Sequence, residues 1–165
     1  HRGSGGYVGR LSRLEPGDVV GFYAGLRRPG GERAHRYLIG YFTVDRVTVV
    51  APDDSPDDVA TALADHPENA HAKRASGGGL FYDDKRVVLV DGRPPGGLFE
   101  RDPIRMSEYY VAEGNVRPQY YLREELVREW NVTEGGRRMQ FKPAYLCDLP
   151  GEAFVDAVGV PGERD

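Results

Sequence analysis

Cysteine is nearly missing from this chain, with Cys147 the one thiol in 165 residues. An internal disulfide is therefore excluded, and so is a zinc site built on several thiolates. No apolar run approaches the ~20 residues that a membrane-spanning helix needs, and nothing has the order of a secretory signal. An excess of positive charge is lacking too: 22 Lys and Arg face 26 Asp and Glu, for a net charge of −4. That excludes a global basic field, so any contact with nucleic acid falls to a local patch. No nucleophile motif, metal set or paired carboxylates stand out. Gly77-Gly78-Gly79 lacks the Gly-Lys-Ser/Thr ending of a phosphate-binding loop. The expectation is a cytoplasmic protein with no membrane contact, no metal and no cofactor.

What the chain does have is glycine (22) and proline (12), the residues of turns and short strands. Its length fits a single domain spanning 1–165. Within it, 1–13 reads as a Gly-rich, basic loop or arm, 14–147 as the core and 148–165 as an acidic peripheral tail. The start at His1, without a methionine, fits a remnant of a longer N-terminal part.

The stretch 14–50 organises the rest. Glu15-Pro16-Gly17-Asp18 is a turn, since Pro16 presets φ and Gly17 tolerates φ > 0. From Val19 the residues are apolar, β-branched or aromatic, as a pleated strand prefers. A second such run covers 37–50, with Gly40 marking a bulge or a close backbone approach. Between them, 26–36 is polar, basic and Gly-rich, the composition of a long hairpin loop.

Ser55 is a good N-cap, Pro56 suits the first helical position, and Asp57 and Asp58 complement the helix dipole. That helix should stop before Pro67. The segment His66-Pro67-Glu68-Asn69-Ala70-His71-Ala72-Lys73-Arg74 is dense in hydrogen-bonding side chains. Extended, it would place Asn69, His71 and Lys73 on one face. Asn69 offers donor and acceptor together, and Lys73 and Arg74 suit phosphate. An ordinary solvated connector is the plainer alternative.

Further along, Leu80-Phe81-Tyr82 suggests a short edge strand. A buried strand covers 86–91 and is closed by Gly92 and Pro94-Pro95-Gly96-Gly97. Another short strand falls within 103–107. The spacing of Leu122, Leu126 and Trp130 predicts a helix over 120–130 with Trp130 in the core. Arg137 to Lys142 interleaves base and aromatic, as both nucleic-acid binders and solvated edge strands do. Tyr145-Leu146-Cys147 reads as the final strand, with Cys147 a small buried hydrophobe.

Three stretches together resemble a known family. They are Gly17-Asp18-Val19-Val20-Gly21-Phe22-Tyr23-Ala24-Gly25-Leu26, Tyr37-Leu38-Ile39-Gly40-Tyr41-Phe42-Thr43-Val44, and Asn69-Ala70-His71-Ala72-Lys73-Arg74. In this order they resemble the nucleotide-modification-associated domain in its third variety, as does Val87-Val88-Leu89-Val90-Asp91-Gly92 with Leu98-Phe99 and Pro103-Ile104 after it. The resemblance covers about 14–107. More loosely, the pattern is similar to the PUA-like group of EVE, ASCH and YTH domains. It implies an α+β fold, a PUA-like small mixed β-barrel with flanking helices, and a role with modified nucleotides in DNA or RNA.

Two chemistries and one non-chemical role stay open. In the first, a modified base, flipped out of its strand, sits in a pocket at the barrel mouth. Tyr23 and Tyr41 would stack on it, Asn69 and His71 would read its edge, and Arg27, Arg28, Arg36, Lys73 and Arg74 would hold phosphate. Stacking is worth roughly 1–3 kcal/mol per base, and extrusion costs a few kcal/mol. In the second, the protein is an enzyme acting on a modified nucleotide, with His71 as acid/base and Lys73 or Arg74 stabilising developing charge. The third role is a protein-interaction domain. Oligomeric state is open.

Overall fold

A short helix, α1 (Tyr7–Leu11), opens the chain where a loop or arm was expected. The turn after it forms as the sequence dictates. Gly17 takes φ +100°, Asp18 N–H donates to the Glu15 carbonyl at 3.0 Å, and the Asp18 carboxylate accepts from Glu15 N–H at 2.8 Å. The turn delivers the chain into β1 (Val19–Leu26), and the connection 27–34 returns it as β2 (His35–Val50). This computed structural model describes residues 6–75, 86–100, 103–139 and 144–159. The expected strand at Leu80-Phe81-Tyr82, the glycines 77–79 and the end of the basic run at 140–142 lie outside these residues.

The chain divides into two compact units, His1–Asp18 with Thr43–Arg93, and Val19–Phe42 with Pro94–Asp165. In the first, α2 (Pro56–Ala64) and α3 (Ala70–Ala75) precede the start of β3 (Val87–Leu98). Ser55 caps α2, its hydroxyl accepting from Asp58 N–H at 3.2 Å and donating to the Asp58 carboxylate at 2.7 Å. Val50, Val87 and Leu89 are buried here, packed by Val59, Ala62 and Leu63 of α2.

The second unit holds β4 (Ile104–Arg105), β5 (Ser107–Tyr110), β6 (Gln119–Leu122), α4 (Glu124–Glu129), β7 (Val132–Glu134), β8 (Leu146–Cys147) and α5 (Gly151–Val158). Leu38, Tyr41, Met106, Leu122, Leu126, Trp130, Met139 and Val158 form its core. Trp130 is buried as expected and meets Phe154 with ring centroids 5.4 Å apart. Cys147 packs against the same core.

The described strands form a four-stranded sheet in the order β1-β2-β3, with β4 also on β2, and two two-stranded sheets, β5-β6 and β7-β8. The pairs β2-β4, β5-β6 and β7-β8 are antiparallel. The class is mixed α+β. Among the described residues no closed barrel forms, because β5 to β8 pair as separate ribbons instead of extending the larger sheet.

Four local expectations need correction. Strand β3 does not close at Gly92 but runs on to Leu98. Its glycines serve close packing instead: a Cβ on Gly96 would lie 2.7 Å from Phe42 Cα, and one on Gly40 would lie 2.3 Å from the Gly97 carbonyl oxygen. Gly40 thus marks a close backbone approach. The 120–130 helix begins only at Glu124, because Tyr120 to Leu122 pair with β5. Leu122 still faces the core, which is why the spacing looked helical from that point. The segment at 69–74 is not extended but enters α3. Finally, 148–165 is not a peripheral tail throughout, since α5 buries Val158 and packs Phe154 and Val155 on the core.

Candidate functional site

In the first unit, Asn69 stands directly before α3, and its side-chain oxygen accepts from His71 N–H at 3.0 Å. Its amide nitrogen donates to the Val90 carbonyl at 3.2 Å and approaches the Asp91 carboxylate at 3.5 Å. Both ends of this side chain are therefore engaged in tying α3 to β3, which is N-cap chemistry. His71 is half-buried, while Lys73 and Arg74 are exposed in the last turn of α3. Lys73 Nζ donates to the Glu68 carboxylate at 2.6 Å.

Beside Asn69 lies a buried polar chain. His66 is wholly buried; its Nε2 is 2.7 Å from the Thr48 hydroxyl and its Nδ1 2.6 Å from the Asp91 carboxylate. That second contact is an ion-pair distance without hydrogen-bond direction. The chain pins the α2–α3 connection to β2 and β3.

In the second unit, Tyr41 has no exposed surface and lies edge-on to Phe99 and Phe154, at 6.2 and 6.0 Å. Tyr23 packs against the same core and meets Tyr145 at 6.5 Å. Both aromatics expected to stack on a base are thus engaged in packing, and Tyr120 packs partly buried against the same core. Arg27 and Arg28 are exposed in the connection 27–34.

A different group of side chains comes together nearby. The Arg33 guanidinium lies 4.3 Å over the ring of Tyr109, Tyr109 and Tyr120 stand 4.8 Å apart, and the Arg36 guanidinium lies 4.6 Å over Tyr120. The sequence makes this stack through the β5-β6 register, which sets Tyr109 directly opposite Tyr120. Strand alternation puts Glu108 on the other face. His35 meets Tyr120 edge-on at 5.8 Å. Its Nδ1 lies 3.1 Å from the Ser107 carbonyl oxygen, and its Nε2 lies 3.3 Å from Arg105 Nη2. Since arginine only donates, His35 is neutral here, with its proton on Nδ1. Arg105 also donates to the Ser107 carbonyl, at 3.0 Å, and Ser107 Oγ accepts from Arg36 N–H at 2.8 Å.

The electrostatics agree with the geometry. Partial burial, and then the positive charges of Arg105, Arg33 and Arg36, hold the His35 imidazole below its usual pKa, against a raising influence from the Ser107 carbonyl. Arg36 Nε is buried without a hydrogen-bond partner. Such a group can stack a planar ring on tyrosine or guanidinium faces and receive an anion.

Of the residues singled out from the sequence, this group contains only Arg36. Arg33, His35, Arg105, Tyr109 and Tyr120 were missed. The signal that could have found them is the pair of doublets Tyr109-Tyr110 and Tyr120-Tyr121, strand-type residues flanking a segment with Gly114 and Pro118. Among the described residues, no cluster of three His, Cys, Asp or Glu side chains could hold a metal, and no helix is long and apolar enough to cross a membrane.

No curated protein and no solved structure matches the chain. The family model described as nucleotide modification associated domain 3 matches residues 4–157, well beyond the 14–107 that carried the resemblance. With that match over nearly its whole length, the chain belongs to the nucleotide modification associated domain 3 family.

Proposed function

We propose that the protein is a recognition module for a modified base in DNA or RNA, and that the base stacks on the Arg33–Tyr109–Tyr120–Arg36 group. Family membership associates the chain with modified nucleotides. The observation that carries the finer reading is the tyrosine pair itself, two rings 4.8 Å apart and tilted by 50° with a guanidinium group over each. Every base has a π-face, so the stack supplies affinity, roughly 1–3 kcal/mol per base. Discrimination falls to polar groups at the modified edge. A flipped base costs least to extrude where pairing is already weakened.

Arg27 and Arg28, exposed in the connection 27–34, are assigned to backbone phosphates, as are Lys73 and Arg74 on α3. His71 is the test of the competing placement. Loss of base discrimination in His71→Ala, with the tyrosine stack intact, would move base reading to α3. Turnover of a modified nucleotide that His71→Ala abolishes would make the protein an enzyme.

The experiment is equilibrium binding to a panel of modified and unmodified oligonucleotides at low and physiological salt. The proposal expects at least one modified member to bind more tightly than its unmodified counterpart at both salts. An absence of binding to every member at either salt sinks it. Lys73→Ala should weaken all oligonucleotides alike and flatten the salt dependence.

A further inference from the structure

Three arginines and a histidine from separate segments converge, and among the described residues no carboxylate lies between them. Arg33 comes from the connection before β2, His35 and Arg36 from β2, and Arg105 from β4. Among the described residues, His35 also meets the Ser107 carbonyl and hydroxyl on β5 and the ring of Tyr120 on β6. Among the described residues, the acidic side chain paired with this group is Glu32, 3.9 Å from Arg33 and itself 90 % exposed. Arg123, at the end of β6, adds a further cation by donating to the Arg105 carbonyl at 3.2 Å, and its own charge is paired with Glu125.

Two independent features point to an external acceptor. Like charges crowded together are destabilising unless an anion offsets them. Arg36 Nε–H is buried and unpartnered, a state that native proteins rarely leave unexplained.

Resting on the recognition reading above, we infer that Arg33, Arg36, Arg105 and His35 form an anion subsite that takes a phosphate group of the bound nucleotide. Arginine's planar donors suit phosphate oxygens. The site lies beside the tyrosine stack, since Tyr120 touches both Arg36 and His35.

A proton is linked to this binding. Free His35 is neutral, held so by burial and by the surrounding guanidinium groups. An anion among those arginines offsets their field and favours the imidazolium. The His35 pKa is therefore higher in the bound state than in the free state. Affinity for the anion rises as pH falls through the interval between the two, and levels off below the free-state value.

The probe is sulfate, whose charge does not change between about pH 5 and 8, so that only the protein titrates. The His35 ring is followed by NMR against pH in the full chain, with sodium sulfate and with sodium chloride at matched ionic strength. Its signal is assigned by its loss in His35→Asn. The expected result is a free pKa below the ordinary value of about 6.5 that moves upward in sulfate. His35→Asn should lose the pH dependence, holding sulfate no more tightly at about pH 5 than at about pH 8, and Arg105→Gln should weaken sulfate by roughly tenfold or more. A His35 pKa that sulfate leaves where chloride leaves it overturns the inference, with no variant needed. A sulfate-linked shift in a protein that discriminates no modified oligonucleotide leaves the subsite standing and removes modified-base recognition. Discrimination with an unmoved His35 does the reverse. Oligonucleotides with 5′-phosphate and 5′-hydroxyl ends then separate a terminal phosphate from an internal one.

Discussion

Tyr120 touches Arg36 on one face, Tyr109 across the β5-β6 pair and His35 at its edge. If a base stacks there, Tyr120→Phe keeps the platform and retains binding, whereas Tyr120→Ala loses roughly 1–3 kcal/mol of stacking, or about 5- to 150-fold in affinity. Comparing both variants by titration with one oligonucleotide checks this. Trp130 and Cys147 give predictions of the opposite kind, structural and ligand-independent. Trp130 is 4 % exposed and packed on Phe154, so Trp130→Ala should cost roughly 3–5 kcal/mol in a denaturant titration. Burial pushes the Cys147 thiol up to about 11, which leaves almost no thiolate at neutral pH. A disulfide exchange reagent at pH 7.5 should therefore react slowly with the native protein and quickly once denaturant is added. Roles of single residues were the least legible part of the sequence. Tyr23 and Tyr41 have the composition of stacking aromatics, but their strand positions direct them to the core. Asn69 has the chemistry of a base reader, and the structure spends it on the start of α3. Composition gives a side chain's capability, and which way it points depends on pairings that form over long sequence distances.

Elements were more legible where local chemistry decides. The Pro16-Gly17 turn, β1, most of β2 and the Ser55-capped α2 all form within a few residues of where their signals stand. They did so because a fixed proline φ, a left-handed glycine and a side-chain cap act over three or four residues. Errors arose where a non-local partner overrode a local pattern. Gly96 and Gly97 read as strand terminators, yet the absence of Cβ atoms there lets β3 continue hard against β2. Gly40 faces the same contact, with a Cβ placed 2.3 Å from the Gly97 carbonyl oxygen. Because backbone on both sides must move, Gly40→Ala should destabilise the fold by more than the roughly 1–3 kcal/mol typical of overpacking. Gly30→Ala probes a different effect: its φ is +75° with open space around it, so the cost is conformational alone and should stay nearer 1 kcal/mol. Thermal melts of the two variants test that ordering.

At the scale of the whole molecule, the net charge of −4 is compatible with the proposed nucleic-acid contact because positive charge is concentrated locally. The guanidinium groups of Arg33 and Arg36 lie over one tyrosine pair, and that of Arg105, distant in sequence, meets His35 beside it. A small basic patch on an acidic protein neutralises few phosphates, so the salt slope of binding should be shallow, a few units at most rather than the steep values of extensively basic proteins. The α+β class and the tie to modified nucleotides were legible in order-preserved motifs across 14–107. The number of compact units was not, because both are built from segments distant in sequence. The most direct test of the central claim is the affinity ratio between a modified and an unmodified oligonucleotide of the same sequence at one physiological salt, measured in the wild-type protein and in Tyr120→Ala. The account predicts tighter binding of a modified oligonucleotide by the wild type, and weakened binding of both by Tyr120→Ala. Equal affinities for every modified and unmodified pair, or binding untouched by Tyr120→Ala, would contradict it.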